Sequence, residues 1–169
     1  MKKILLIGRT GCGKTTLTQA LRGEPIRYQK TQYVHHFDVI IDTPGEYLED
    51  HHLGRAIALY TYEAGVVGML LNACEPYSLY SPCCAAACNR PVIGIVTQIH
   101  DPRAHPDRAE RWLRLAGCKT VLHVDSVTGE GIWKIFELLR EPGDVMPWET
   151  AGDPHILCTK EGMSPCLPK

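Results

Sequence analysis

The chain lacks a surplus of either charge. Its 169 residues carry 18 Lys and Arg against 19 Asp and Glu, a formal net charge of −1. That balance excludes a basic, nucleic-acid-coating surface as the main function. No apolar run is long enough to cross a bilayer. Met1-Lys2-Lys3-Ile4-Leu5-Leu6-Ile7-Gly8 holds only four apolar residues in succession, too few for the apolar region of a secretory signal. The expectation is a soluble cytoplasmic protein that binds neither nucleic acid nor membrane. Internal repeats and heptad runs are also missing. There is no C-x-x-C pair, although the chain has eight cysteines, including Cys83, Cys84 and Cys88. A reducing cytosol argues against a disulfide framework, and zinc usually needs four ligands. The cysteines therefore read as small buried hydrophobes or incidental residues. In the pairs His35-His36 and His51-His52 the neighbours would point to opposite faces of a strand, so neither pair is a natural chelate.

What is present is an ordinary globular composition, 44% hydrophobic and 22% charged, in a length that suits one domain. Short apolar runs alternate with helical patterns. Strands are expected at Ile4 to Ile7, Phe37 to Ile41, Val66 to Leu71, Val92 to Val96 and Thr120 to Val124. Helices are expected at Lys14 to Arg22, Leu53 to Glu63, Pro106 to Ala116 and Ile132 to Leu139. Continuous apolar strands interleaved with helices predict an α/β fold, a mostly parallel sheet with helices on both faces. After Arg140 the character changes. Residues 141–169 hold five of the twelve prolines and a local charge of −3. The expected organisation is a domain over 1–140 and a proline-rich, acidic tail over 141–169, with Trp148 a candidate packing residue.

The strongest local signal is Gly8-Arg9-Thr10-Gly11-Cys12-Gly13-Lys14-Thr15, a full match to G-x-x-x-x-G-K-[ST] between a strand and a helix. In such a loop the backbone N–H groups turn inward around an anion, and the helix N-terminus adds its positive dipole end. Gly8, Gly11, Cys12, Gly13, Lys14, Thr15 and Thr16 are the expected phosphate-binding residues, with Lys14 on the β- and γ-phosphates and Thr15 on Mg²⁺. Asp42-Thr43-Pro44-Gly45 follows the second strand. Asp42 is a candidate magnesium ligand, and the Gly45 amide a candidate γ-phosphate donor. Cys12 lies near a helix N-terminus, a position that lowers a thiol pKa and makes oxidation or alkylation a possible block to nucleotide entry. Arg9 either neutralises a phosphate or faces solvent.

Together these motifs resemble a small GTPase-like P-loop NTPase. The resemblance implies four further site elements. Thr31, from Lys30-Thr31-Gln32, would sense the γ-phosphate through Mg²⁺. Glu46, after Gly45, would orient the attacking water; otherwise it is a surface acid opening the next helix. Thr97-Gln98-Ile99-His100 stands where the family has [NT]-K-x-D. Gln98 replaces the lysine that packs over the base, and His100 replaces the carboxylate that accepts two guanine N–H groups. Asp101 lies one residue later. Ser126-Val127-Thr128-Gly129 resembles the loop whose backbone touches the base. GTP and ATP both remain open.

The string Asp42-Thr43-Pro44-Gly45-Glu46-Tyr47-Leu48-Glu49, with Asn89-Arg90-Pro91-Val92-Ile93-Gly94-Ile95-Val96-Thr97, is similar to the EutP/PduV family of ethanolamine- and propanediol-utilisation proteins, over roughly residues 1–140. That resemblance implies a Mg²⁺-dependent nucleotide-binding protein linked to bacterial microcompartments, with shell proteins as candidate partners. It implies slow hydrolysis or switching. The alternatives are an ATP-dependent acetate kinase and a non-catalytic interaction module. Lys14 and Glu46 are the candidate catalytic residues.

Overall fold

The structure is a computed structural model that describes residues 1–26, 35–36, 39–43, 45 and 60–146. Six strands form one sheet: β1 (Ile4–Ile7), β2 (His35–His36), β3 (Ile40–Asp42), β4 (Val66–Asn72), β5 (Val92–Thr97) and β6 (Thr120–His123). Their order is β2-β3-β1-β4-β5-β6. All neighbours run parallel except β2, which pairs antiparallel with β3 through His35↔Asp42 and His36↔Ile41. This corrects the expected single strand from Phe37 to Ile41. The chain pairs back on itself there, and β3 starts at Ile40.

β1, β4 and β5 are almost wholly apolar because both of their faces are covered. Side chains alternate between the two faces, as the pleat requires. Leu5, Ile7, Ile41, Val67, Met69 and Leu71 point into one layer with α2 (Pro106–Leu115). Ile4, Leu6, Ile40, Val66 and Leu70 point into the other, with Leu17 of α1 (Lys14–Leu21) and Ile132, Ile135 and Leu139 of α3 (Ile132–Leu139). Pro106 opens α2, where a missing N–H costs nothing. Of the helix expected from Leu53 to Glu63, Tyr60 and Thr61 are helical and the residues before Tyr60 lie outside the described set.

The long connection from β4 to β5 carried no periodic signal. It holds a short 3₁₀ helix, Cys84–Ala87, anchored to the end of α2 by Cys83 N–H to the Leu115 carbonyl and Ala85 N–H to the Ala116 carbonyl, each at 2.9 Å. Residues 141–146 also lie against the domain, with Met146 fully buried and the Met1 amino group donating to Asp144 at 3.0 Å. Trp148 and residues 147–169 lie outside the described residues.

From β1 the chain goes first to β3 on one side and later to β4 on the other. The crevice at the carboxyl ends of these strands is where open α/β sheets bind ligands. Every described candidate residue sits on that edge.

Candidate functional site

The loop between β1 and α1 begins at Gly8. A side chain there would meet the Cys12 sulfur and the Leu70 carbonyl, so the turn stays tight against β4. Gly13 enters the helix at φ 93°, a left-handed conformation that favours glycine. Lys14 then curls back into the loop. Its ammonium donates to the carbonyls of Gly8 at 2.7 Å and Arg9 at 2.9 Å, and only 6% of the residue is exposed. A buried cation among backbone groups at a helix N-terminus is a site for an anion.

Two strand ends complete this edge. Thr15, one residue into α1, donates from its hydroxyl to Asp42 Oδ2 at 3.3 Å. Asp42 ends β3 and is buried. A hydroxyl and a carboxylate side by side are a hard-oxygen pair suited to Mg²⁺, which keeps several waters and takes few protein ligands. Thr43 secures the same strand end by donating to the Leu6 carbonyl at 2.8 Å. Gly45 is buried directly against Thr10, and any side chain there would run into the Thr10 backbone. Thr31 and Glu46 lie outside the described residues, as do Lys30 and Gln32.

From the other side, Thr97 at the end of β5 donates to the Cys12 carbonyl at 2.7 Å inside the protein. This bond ties the phosphate loop to the next loop, Gln98–Asp101. Beside it opens a cleft of about 380 Å³ lined by Gly13, Thr16, Thr97, Gln98, Asp125 and Ser126, with Ile26, Asp101 and Val127 at its walls. That volume is within the range of small-molecule sites. The expected base-loop residues Thr97, Gln98 and Ser126 therefore meet the expected phosphate-loop residues Gly13 and Thr16 in one cleft.

Both carboxylates in this cleft hold protein donors. Asp101 Oδ1 accepts from the Arg103 backbone at 2.9 Å and from Arg103 Nε at 3.1 Å, and these bonds hold its pKa down at about 2. Asp125 Oδ1 accepts from the backbone N–H groups of Val127 at 2.8 Å and Thr128 at 2.9 Å, which shapes the loop around Ser126. His100 does not line the cleft; its ring bonds Glu130 at 2.6 Å.

Cys12 reverses one expectation. The thiol is fully buried, and desolvation raises its pKa despite the nearby Lys14 ammonium. Burial outweighs the helix N-terminus here, so the side chain is a core group and only the backbone faces the loop. Arg9 is also placed. Its guanidinium pairs with Glu75 at 2.9 Å and lies over the Tyr77 ring at 5.3 Å. Among the described residues no group of three His, Cys, Asp or Glu side chains could hold a metal, Cys83, Cys84 and Cys88 included.

Three positions were missed in the sequence. Asp125 could have been found as an Asx turn ahead of Gly129. Tyr80, whose buried hydroxyl sits 2.9 Å from the Ile7 carbonyl and 3.0 Å from that of Leu70, had no local signal. Asn72 bonds Gln98 across two strand ends and had none either.

A parallel sheet with covered faces, and a glycine loop running from its first strand into a helix around a buried lysine, define the fold class of P-loop nucleoside triphosphatases. Within that class the chain belongs to the PduV-EutP family, whose model, described as ethanolamine utilisation - propanediol utilisation, matches residues 1–141. A propanediol utilization protein PduV from Citrobacter freundii is 43% identical over 143 residues, 83% of this chain and 94% of that protein. A protein named probable acetate kinase EutP from Escherichia coli strain K12 is 52% identical over 79 residues, 46% of this chain and 50% of that protein. One of the same name from Salmonella typhimurium is 54% identical over 50 residues, 28% of this chain and 30% of its own length. Among the described residues no helix is long and apolar enough to cross a membrane.

Proposed function

We propose that the chain binds a Mg²⁺–nucleoside triphosphate and hydrolyses it slowly or uses it as a switch, in propanediol or ethanolamine utilisation and in association with bacterial microcompartments. The observation that carries this reading is the buried Lys14 ammonium held inside the loop by two carbonyls. It supplies positive charge where the β- and γ-phosphates would lie. Thr15 and Asp42 would hold the magnesium, which neutralises phosphate charge during transfer. Gln98, Thr97 and the Ser126 loop would take the nucleoside. Asp101 and Asp125 Oδ1 already hold protein donors, which disfavours a carboxylate on guanine N1 and N2. The expected preference for GTP over ATP is below about ten-fold, since one recognition hydrogen bond is worth no more. The test is displacement of a fluorescent nucleotide by GTP, ATP and inorganic triphosphate, with and without Mg²⁺. Mg²⁺-dependent competition by all three supports the reading, and absence of binding refutes it.

A second reading, ATP-dependent phosphorylation of acetate, is favoured by the same engaged carboxylates and by the names of the EutP relatives. Acetate-dependent ADP formation from ATP would support it. An ADP yield indifferent to acetate would remove it.

A further inference from the structure

Two aliphatic side chains stand exposed at the nucleoside cleft. Ile26 is 42% exposed and Val127 is 68% exposed, and both line the cleft together with Gly13 and Thr16 of the phosphate-loop side. A single exposed hydrophobic residue is ordinary on a protein surface. These two come from separate segments, one following α1 and the other following β6, and they meet in one concavity. Each is held there by its own backbone. The turn beyond α1 is closed by the Gly23 N–H to the Ala20 carbonyl at 3.2 Å and the Glu24 N–H to the Gln19 carbonyl at 2.9 Å, and Pro25, its φ fixed by its ring, leads into Ile26. The Val127 N–H donates to Asp125 Oδ1 at 2.8 Å, while the Asp125 N–H donates to the Glu130 carbonyl at 3.0 Å and the Asp125 carbonyl accepts from Gly129 at 2.9 Å. The bond that occupies the Asp125 carboxylate thus also fixes the backbone of Val127 at the cleft. Both side chains are β-branched and have little rotamer freedom to lose when something covers them.

What covers them must be apolar over part of its surface and must reach the cleft from the glycine loop. A nucleotide meets both conditions, because its polyphosphate belongs at the loop and every base has a face without hydrogen-bonding groups. We infer, on the nucleotide reading above, that Ile26 and Val127 are base-binding residues that hold the ring of the bound nucleotide by apolar contact. Such contact removes apolar surface from water and reads no edge group, so adenine and guanine gain alike. Inorganic triphosphate has no ring and gains nothing.

The experiment measures Kd for Mg²⁺–GTP, Mg²⁺–ATP and Mg²⁺–inorganic triphosphate on the full chain and on Ile26→Ala, Val127→Ala and Val145→Ala. Val145 is the control, since it is 64% exposed and does not line the cleft. All three side chains are exposed, so the fold does not depend on them. Each methyl group that the ring covers is worth roughly four-fold in affinity. Ile26→Ala and Val127→Ala should each weaken GTP and ATP alike by about four-fold or more and leave triphosphate within about two-fold. Val145→Ala should change none of the three. A loss confined to one cleft variant or to one base, an equal loss for triphosphate, or the same loss in Val145→Ala overturns the inference. Binding of neither nucleotide by the unaltered chain overturns the nucleotide reading, and this inference with it. Nucleotide binding that both cleft variants leave unchanged overturns the inference alone.

Discussion

Thr97 is the point at which the end of β5 braces the glycine loop. Its hydroxyl donates to the Cys12 carbonyl at 2.7 Å, and only 2% of the residue is exposed. Thr97→Val keeps the shape and removes the donor. The carbonyl then faces a methyl group inside the protein, and an unsatisfied buried acceptor costs about 1–3 kcal/mol. With a urea slope of about 1–3 kcal/mol/M, the unfolding midpoint should fall by roughly 1 M. Thr97→Ser is the control. It keeps the hydroxyl and loses a methyl group, worth about 0.8 kcal/mol. The assay is urea unfolding followed by circular dichroism on all three proteins. A serine variant as unstable as the valine variant would mean that methyl packing, not the hydrogen bond, holds the loop, and the reasoning would be wrong.

Two further outcomes follow from the placement of titratable groups. Under native conditions a maleimide should modify the exposed Cys83 well before Cys12 or Cys118, both buried, with the Cys118 thiol pushed up to about 11 by desolvation; peptide mapping that finds Cys12 labelled as fast as Cys83 would contradict this. Asp101 should titrate at about 2 in the folded protein because Arg103 holds its ionised form. The folded pKa is depressed, so this contact is present above the ordinary carboxylate range and is lost as pH falls through about 2. Carboxyl NMR should show that midpoint, and Arg103→Ala should return it toward the ordinary range. A midpoint near 4 in the unaltered protein would remove the ion pair from the account.

The phosphate loop was legible because its chemistry is local. Gly8, Gly13 and Lys14 act through neighbouring backbone, and eight consecutive residues carry the pattern. The buried strands were legible because a run such as Ile4–Ile7 has nowhere to go but between two layers. The β2–β3 pairing was not, since two residues give no period to read. Asn72 and Tyr80 stayed hidden because their roles arise where separate strands end side by side. Gln98 shows the limit most directly. Its identity suggested a departure from lysine, and only the structure shows its bond from Asn72. Cys12 shows two effects competing. The sequence reveals the helix N-terminus that would lower its pKa, and the packing that raises it depends on the tertiary fold.

We propose that Lys14, Thr15 and Asp42 form a Mg²⁺–triphosphate clamp. It is tested most directly by isothermal titration of GTP and ATP into the unaltered protein and into Lys14→Ala, each with Mg²⁺ and with a chelator. Saturable Mg²⁺-dependent binding is expected, weakened by about a hundred-fold or more in the variant, on the order of the loss when a buried charge-assisted contact is removed. Equal affinity in both proteins, or affinity indifferent to Mg²⁺, would contradict it.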